Sequence, residues 1–198
     1  MTLPSLQWIE PVIEAARKQA GGGAATLPTV VVRVDQQRLY VWEGGKVTDV
    51  FDVSTSERGI GNQDGTYKTP LGLHRIAERF GDGAAPGTVF RARANTGEIA
   101  EILTGEGERS RRDNITSRIL WLEGLEPGLN RGGSIDSYQR YIYIHGTDEE
   151  GRIGEPASEG CVRMRNDEVI ELFPRLPVGT LVVILNGPDY EAGRVLPV

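Results

Sequence analysis

Gly44-Gly45 separates two short runs that alternate in polarity, and this pairing limits the folds open to the chain more than any other feature. On one side lies Arg38 to Glu43 (RLYVWE), where Leu39 and Val41 face one way and Tyr40 and Trp42 the other. On the other side Lys46 to Ser54 continues as a second strand, and two glycines between such runs make a hairpin turn. A third β-branched run, Thr29 to Val34, comes just before. Three strands in succession form a meander and exclude a βαβ unit at this end. Later apolar runs repeat the signal at Ile119 to Leu125, Tyr141 to Ile144 and Leu181 to Leu185, with a short candidate at Val89 to Ala92. Twenty-six glycines and eleven prolines supply the turns that such a strand-rich chain needs.

Helices are few. Trp8, Ile9, Val12, Ile13 and Ala16 recur at helical spacing, which predicts a helix over about 10–20 with Pro11 in its first turn. Gly21-Gly22-Gly23 ends it and serves as a linker. An amphipathic stripe of this kind usually faces its own core. Asn166 or Asp167 is the expected cap of a second, short helix to Phe173. The expected organisation is a helix and linker over 1–27, a β domain over 28–187 and a tail over 188–198. The stretch Ala77 to Ser117 reads as a loop-rich insertion, either a rim over a groove or a solvated excursion.

Composition removes several classes. A net charge of −6 argues against a general nucleic-acid binder. One cysteine cannot build a disulfide framework. One cysteine and two distant histidines do not make metal-ligand spacing, so neither a metal nor another cofactor is expected. No apolar run approaches the length of a membrane span, and residues 1–23 lack a secretory pattern. The expected location is therefore cytoplasmic, or the periplasm if the chain is a piece of a longer one. Oligomeric state is not legible.

The chemistry concentrates in Tyr141 to Arg165, which holds the lone Cys161 and one of the two histidines, His145. His145-Gly146 sits where a strand ends, and a loop follows through Gly151, Gly154 and Pro156 to Gly160-Cys161. Read by residue type alone, a lone cysteine is more often a small buried hydrophobe. The alternative is a nucleophile whose proton an imidazole accepts and later returns to the leaving group. N–H groups near Gly160 and Cys161 could then hold an oxyanion.

The wording of the segment decides between these. His145-Gly146-Thr147, followed by Ser158-Glu159-Gly160-Cys161-Val162-Arg163-Met164, resembles the signature of the L,D-transpeptidase catalytic domain of the YkuD type. Lys68-Thr69-Pro70-Leu71-Gly72 is similar to a second family block. Many members carry a histidine at the position of Glu159.

The resemblance implies a mainly β, sandwich- or barrel-like domain with a short helix after the cysteine. It implies a cysteine acyl-enzyme catalyst acting on the peptidoglycan stem peptide, at the bond between diaminopimelate and D-alanine. Cys161 would be the nucleophile and His145 the acid/base. The Gly146 carbonyl and Ser158 are the candidates for orienting the imidazole. Gly160 belongs to the oxyanion turn. Arg163 would fix the loop or a substrate carboxylate, with a buried salt bridge as the other reading. His74 reads as a strand residue rather than the base. Without a visible export signal the expected acceptor is water, giving an L,D-carboxypeptidase on soluble muropeptides. Cross-linking or D-amino-acid exchange in the periplasm is the alternative, and an inactive wall-fragment binder the second.

Overall fold

The structure, a computed structural model, describes residues 6–22 and 26–188. The expected tail lies outside the described residues from position 189 on, as does Gly23 of the linker. Among the described residues ten strands form one mixed sheet. They are β1 (Thr29–Arg33), β2 (Arg38–Glu43), β3 (Lys46–Asp52), β4 (Gly72–Phe80), β5 (Thr88–Arg91), β6 (Ala94–Ile99), β7 (Ile115–Gly124), β8 (Tyr143–Thr147), β9 (Val162–Met164) and β10 (Leu181–Leu185). The order is β3-β2-β1-β10-β4-β7-β5-β6, and β8 joins the sheet by pairing with β7 on one side and β9 on the other. The β1-β2-β3 meander stands as read, antiparallel throughout.

Alternation explains how one sheet feeds two cores. Val30, Val32, Val182 and Ile184 point into the larger core with Ile144, Val162, Met164 and Leu172. Their neighbours Val31, Leu181, Val183 and Leu185 point to the other face, where helix α1 (Ile9–Gln19) covers them. β1 and β10 are therefore buried on both faces and read as continuous apolar runs. Ile9, Val12, Ile13 and Ala16 are the covering stripe of α1, so the N-terminal helix is packed on the domain. Ile13→Ala removes a side chain only 2% exposed and is expected to cost about 3 kcal/mol. Urea denaturation followed by circular dichroism checks this, and a loss below about 1 kcal/mol would mean that α1 does not hold the sheet.

Two readings are corrected. The stretch 77–117 carries more strand than expected: it completes β4, makes the β5–β6 hairpin and begins β7, while 81–87 and 100–114 remain loop. β6 was missed because all six of its residues are exposed, so it carries no alternation. Asn166 does not cap the second helix, α2 (Asn166–Leu172); it is the first helical residue, and its buried amide is used elsewhere.

Candidate active site

Strand pairing brings the cysteine and the histidine together. β9 runs parallel to β8, with Ile144 opposite Val162 and His145 opposite Arg163. Cys161 immediately precedes β9, so the same register sets it beside Tyr143. Paired residues in a sheet point the same way and successive residues alternate. Tyr143, His145, Cys161 and Arg163 thus share one face, while Ile144, Val162 and Met164 fill the main core on the other. The Cys161 sulfur accepts the Tyr143 N–H at 3.3 Å and donates to the Tyr141 carbonyl at 3.4 Å. Neither bond goes to the imidazole. Catalytic contacts of this kind commonly tighten only when substrate binds.

His145 has a defined tautomer. Its Nδ1 lies 2.6 Å from the Gly146 carbonyl. A carbonyl only accepts, so Nδ1 carries the proton and Nε2 is left as the basic nitrogen. The glycine after the histidine is dictated by space. A Cβ at Gly146 would lie 2.7 Å from both Asn166 Oδ1 and the Thr116 carbonyl. Burial lowers the His145 pKa to about 4, against the Gly146 bond, and nearby Arg163 lowers it further. Burial pushes the Cys161 thiol up to about 12, against the Tyr143 N–H. The resting pair is a neutral thiol and a neutral imidazole.

The other expected site residues build the turn that presents the thiol. Ser158 Oγ donates to the Cys161 carbonyl at 2.6 Å and accepts the Gly160 N–H at 3.2 Å. Ser158 therefore shapes the turn and does not touch the imidazole, and the Gly160 N–H is already spoken for. Gly160 adopts φ +122°, and a Cβ there would approach the Lys68 carbonyl to 3.3 Å. Thr69 Oγ1 holds the Gly160 carbonyl at 3.0 Å and accepts the Ser56 N–H. The Lys68-Thr69 block is thus the wall against which the turn is pressed. Arg140 braces it from the far side by donating to the carbonyls of Lys68, Gly61 and Asn62. Glu159 is exposed.

Arg163 is 1% exposed and occupied within the protein. It pairs with Glu149 at 2.8 Å and Asp113 at 3.1 Å, and donates to the Ala157 carbonyl. Its position corrects the substrate-carboxylate reading in favour of the loop-holding ion pair. Burial would raise the Glu149 carboxyl, but the Arg163 guanidinium and the Ser110 N–H outweigh it and hold the pKa below the usual value. For Asp113 burial wins over Arg163 and the pKa is raised. His74 is fully buried in β4, bonded to the Gly72 carbonyl and Ser137 Oγ, away from the thiol's partners.

Sequence reasoning missed the residues that brace the site from a distance. Asn166 accepts from Thr116 Oγ1 and Ser117 Oγ and donates to the Thr147 carbonyl and Glu150. It thereby locks α2 against the strand end that carries His145. It also missed an aromatic cluster on the Cys161 face. Trp121 stacks on Tyr138 at 4.0 Å and meets Tyr143 edge-on, with Tyr141 tilted beside it. The density of Trp and Tyr between 121 and 143 was a visible signal.

The two buried histidines have a consequence for stability. Each is depressed to about 4 from an ordinary value near 6.5, so the unfolded chain binds protons that the folded one refuses. The stability they contribute is present above pH 6.5 and is lost as pH falls toward 4. Between pH 6.5 and 5 the loss should approach roughly 2 kcal/mol per histidine. Denaturant melts at the two pH values measure it. A flat profile would mean that the imidazoles are not buried neutral.

A thiol and a neutral imidazole placed diagonally on one sheet face, with the imidazole tautomer fixed by a carbonyl, are the groups that nucleophilic acyl transfer uses. The YkuD family, described as the L,D-transpeptidase catalytic domain, matches residues 28–184. The chain belongs to this family. "Probable L,D-transpeptidase ErfK/SrfK" of Salmonella typhimurium is 47% identical over 163 residues, covering 80% of this chain and 44% of that protein. "Probable L,D-transpeptidase YcfS" of Escherichia coli is 26% identical over 160 residues, again 80% and 44%. The chain spans about half the length of the curated relatives it matches. Among solved structures, the L,D-transpeptidase of Xylanimonas cellulosilytica superposes with a TM-score of 0.50 at 19% identity, covering 81% of this chain and 61% of that one. It shares the fold. No helix among the described residues is long and apolar enough to cross a membrane.

Proposed function

We propose that the chain is the catalytic domain of an L,D-transpeptidase acting on the peptidoglycan stem peptide between diaminopimelate and the terminal D-alanine. The observation that carries this reading is the parallel β8–β9 register, which sets Cys161 and His145 on one face with Nε2 as the basic nitrogen. Cys161 Sγ attacks the scissile carbonyl carbon while its proton passes to His145 Nε2. The C–N bond breaks, and D-alanine leaves with that proton. The thioester is then attacked by an amine of a second stem peptide, which returns a proton to Nε2. The sulfur leaves as thiolate and takes that proton back, which restores the free thiol.

The relatives that bear the transpeptidase name support an amine acceptor. Hydrolysis, expected earlier from the N-terminal sequence, is the other outcome of the same assay. Incubating the protein with a disaccharide tetrapeptide and a D-amino acid, followed by mass spectrometry, decides the matter. Exchange or a cross-linked dimer is the expected product. Loss of D-alanine alone would make the protein a carboxypeptidase. Absence of any product, or the same products from Cys161→Ala, would sink the acyl-enzyme reading.

A further inference from the structure

Arg93 stands at the tip of the β5–β6 hairpin, in a two-residue turn between the paired Arg91 and Ala94. Both turn residues are left-handed, Ala92 at φ 46° and Arg93 at φ 69°. Such turns ordinarily use Asn-Gly, and a non-glycine residue there is strained. The strain sets the Arg93 guanidinium over the Trp121 ring at 4.6 Å and the Tyr141 ring at 5.3 Å. Its Nη1 donates to Tyr143 Oη at 3.2 Å. Tyr143 is also the residue whose N–H holds the Cys161 sulfur, so a single side chain separates guanidinium and thiol. Arg93 makes no ion pair among the described residues. Glu78, the acidic group facing it, is engaged by the Tyr138 hydroxyl.

A guanidinium stacked on aromatic faces is oriented and weakly hydrated, and its planar fork matches a carboxylate. We propose that Arg93 is a specificity-determining residue that binds a substrate carboxylate beside Cys161, through the guanidinium held over Trp121 and Tyr141 and tied to Tyr143. The inference deepens the reading proposed above and rests on it for the identity of that carboxylate. The stem peptide offers two, the terminal D-alanine carboxylate and the one on the diaminopimelate side arm.

The test separates charge from packing. Cys161 of the full chain is alkylated at low ionic strength with iodoacetate and, separately, with iodoacetamide. Arg93→Gln is expected to lower the iodoacetate-to-iodoacetamide rate ratio about fivefold, the effect of removing one charge several ångströms away. Added salt should lower the ratio in the unaltered protein as well, which keeps the test decisive if the variant folds poorly. A ratio unmoved by either change overturns the proposal.

The second arm measures KM for the free tetrapeptide, its C-terminal amide and its side-arm amide. Arg93→Gln should raise KM for the free tetrapeptide about tenfold, as loss of one charge-assisted contact does. The amide whose KM ignores the substitution identifies the carboxylate. Equal sensitivity of all three substrates counts against Arg93. Failure of the unaltered protein to turn over any of them defeats the proposed function instead, and the alkylation ratio still decides whether Arg93 reads anions.

Discussion

Cys161→Ala is expected to lower kcat/KM by at least about 10⁴-fold while leaving the thermal midpoint nearly unchanged. The sulfur contributes little packing: it lies at the open edge of the Phe90–Ile119–Trp121–Tyr143 cluster and bonds only to backbone. The turn that presents it is held by Ser158, Thr69 and Arg140, none of which needs the thiol. By the family resemblance a carbapenem is expected to acylate Cys161 and leave a single mass adduct, and the same substitution should abolish it. An adduct that persists, or turnover within tenfold of the original, would place the nucleophile elsewhere.

His145→Ala should be nearly as damaging, and the double variant little worse than either alone, because a nucleophile and its base act as one unit. The pH dependence carries the finer test. A base with pKa about 4 paired to a thiol near 12 stays in its working protonation state across the neutral range. Alkylation of Cys161 by iodoacetamide should therefore climb steadily with the thiolate fraction, about tenfold per pH unit between pH 5 and 8. A preformed thiolate–imidazolium pair would instead hold the rate on a plateau across that range, because the thiolate is already present. His74→Ala should lower stability and spare chemistry, since its imidazole is committed to the Gly72 carbonyl and Ser137. A reversal of the two histidines in this assay would overturn the assignment of the base.

How much of this was readable in the chain depended on how far apart the interacting residues lie. The meander was legible because Gly44-Gly45 and the alternation around it are local. Cys161 and His145 were legible because their flanking words are distinctive, although nothing in the spacing revealed a parallel β8–β9 register. Strand β8 begins later than its apolar run suggests, at Tyr143. Tyr141 is diverted into a left-handed turn at φ 56°, and its carbonyl meets the thiol. The partners of Arg163 were illegible, because Asp113 and Glu149 lie on two different loops that look merely solvated. Ser158 was read one atom too far, since its position beside the cysteine does not say which group its hydroxyl reaches.

The pairing of β1 with β10 has a bearing on how the protein comes into being on the ribosome. These strands hydrogen-bond side by side from Thr29–Leu181 to Arg33–Leu185, so the centre of the sheet joins the first strand of the described residues to the last. Closing so long a loop is entropically costly and slow compared with forming the β2–β3 hairpin. Until Leu185 has emerged, β1 has a partner on one side only, and β4 waits for the neighbour that links it to the meander. The thiol-bearing turn, though its own residues are long since made, rests on a sheet that cannot close before then. The sheet beneath the thiol-bearing turn is thus completed by one pairing event, the docking of β10 between β1 and β4, rather than strand by strand in chain order.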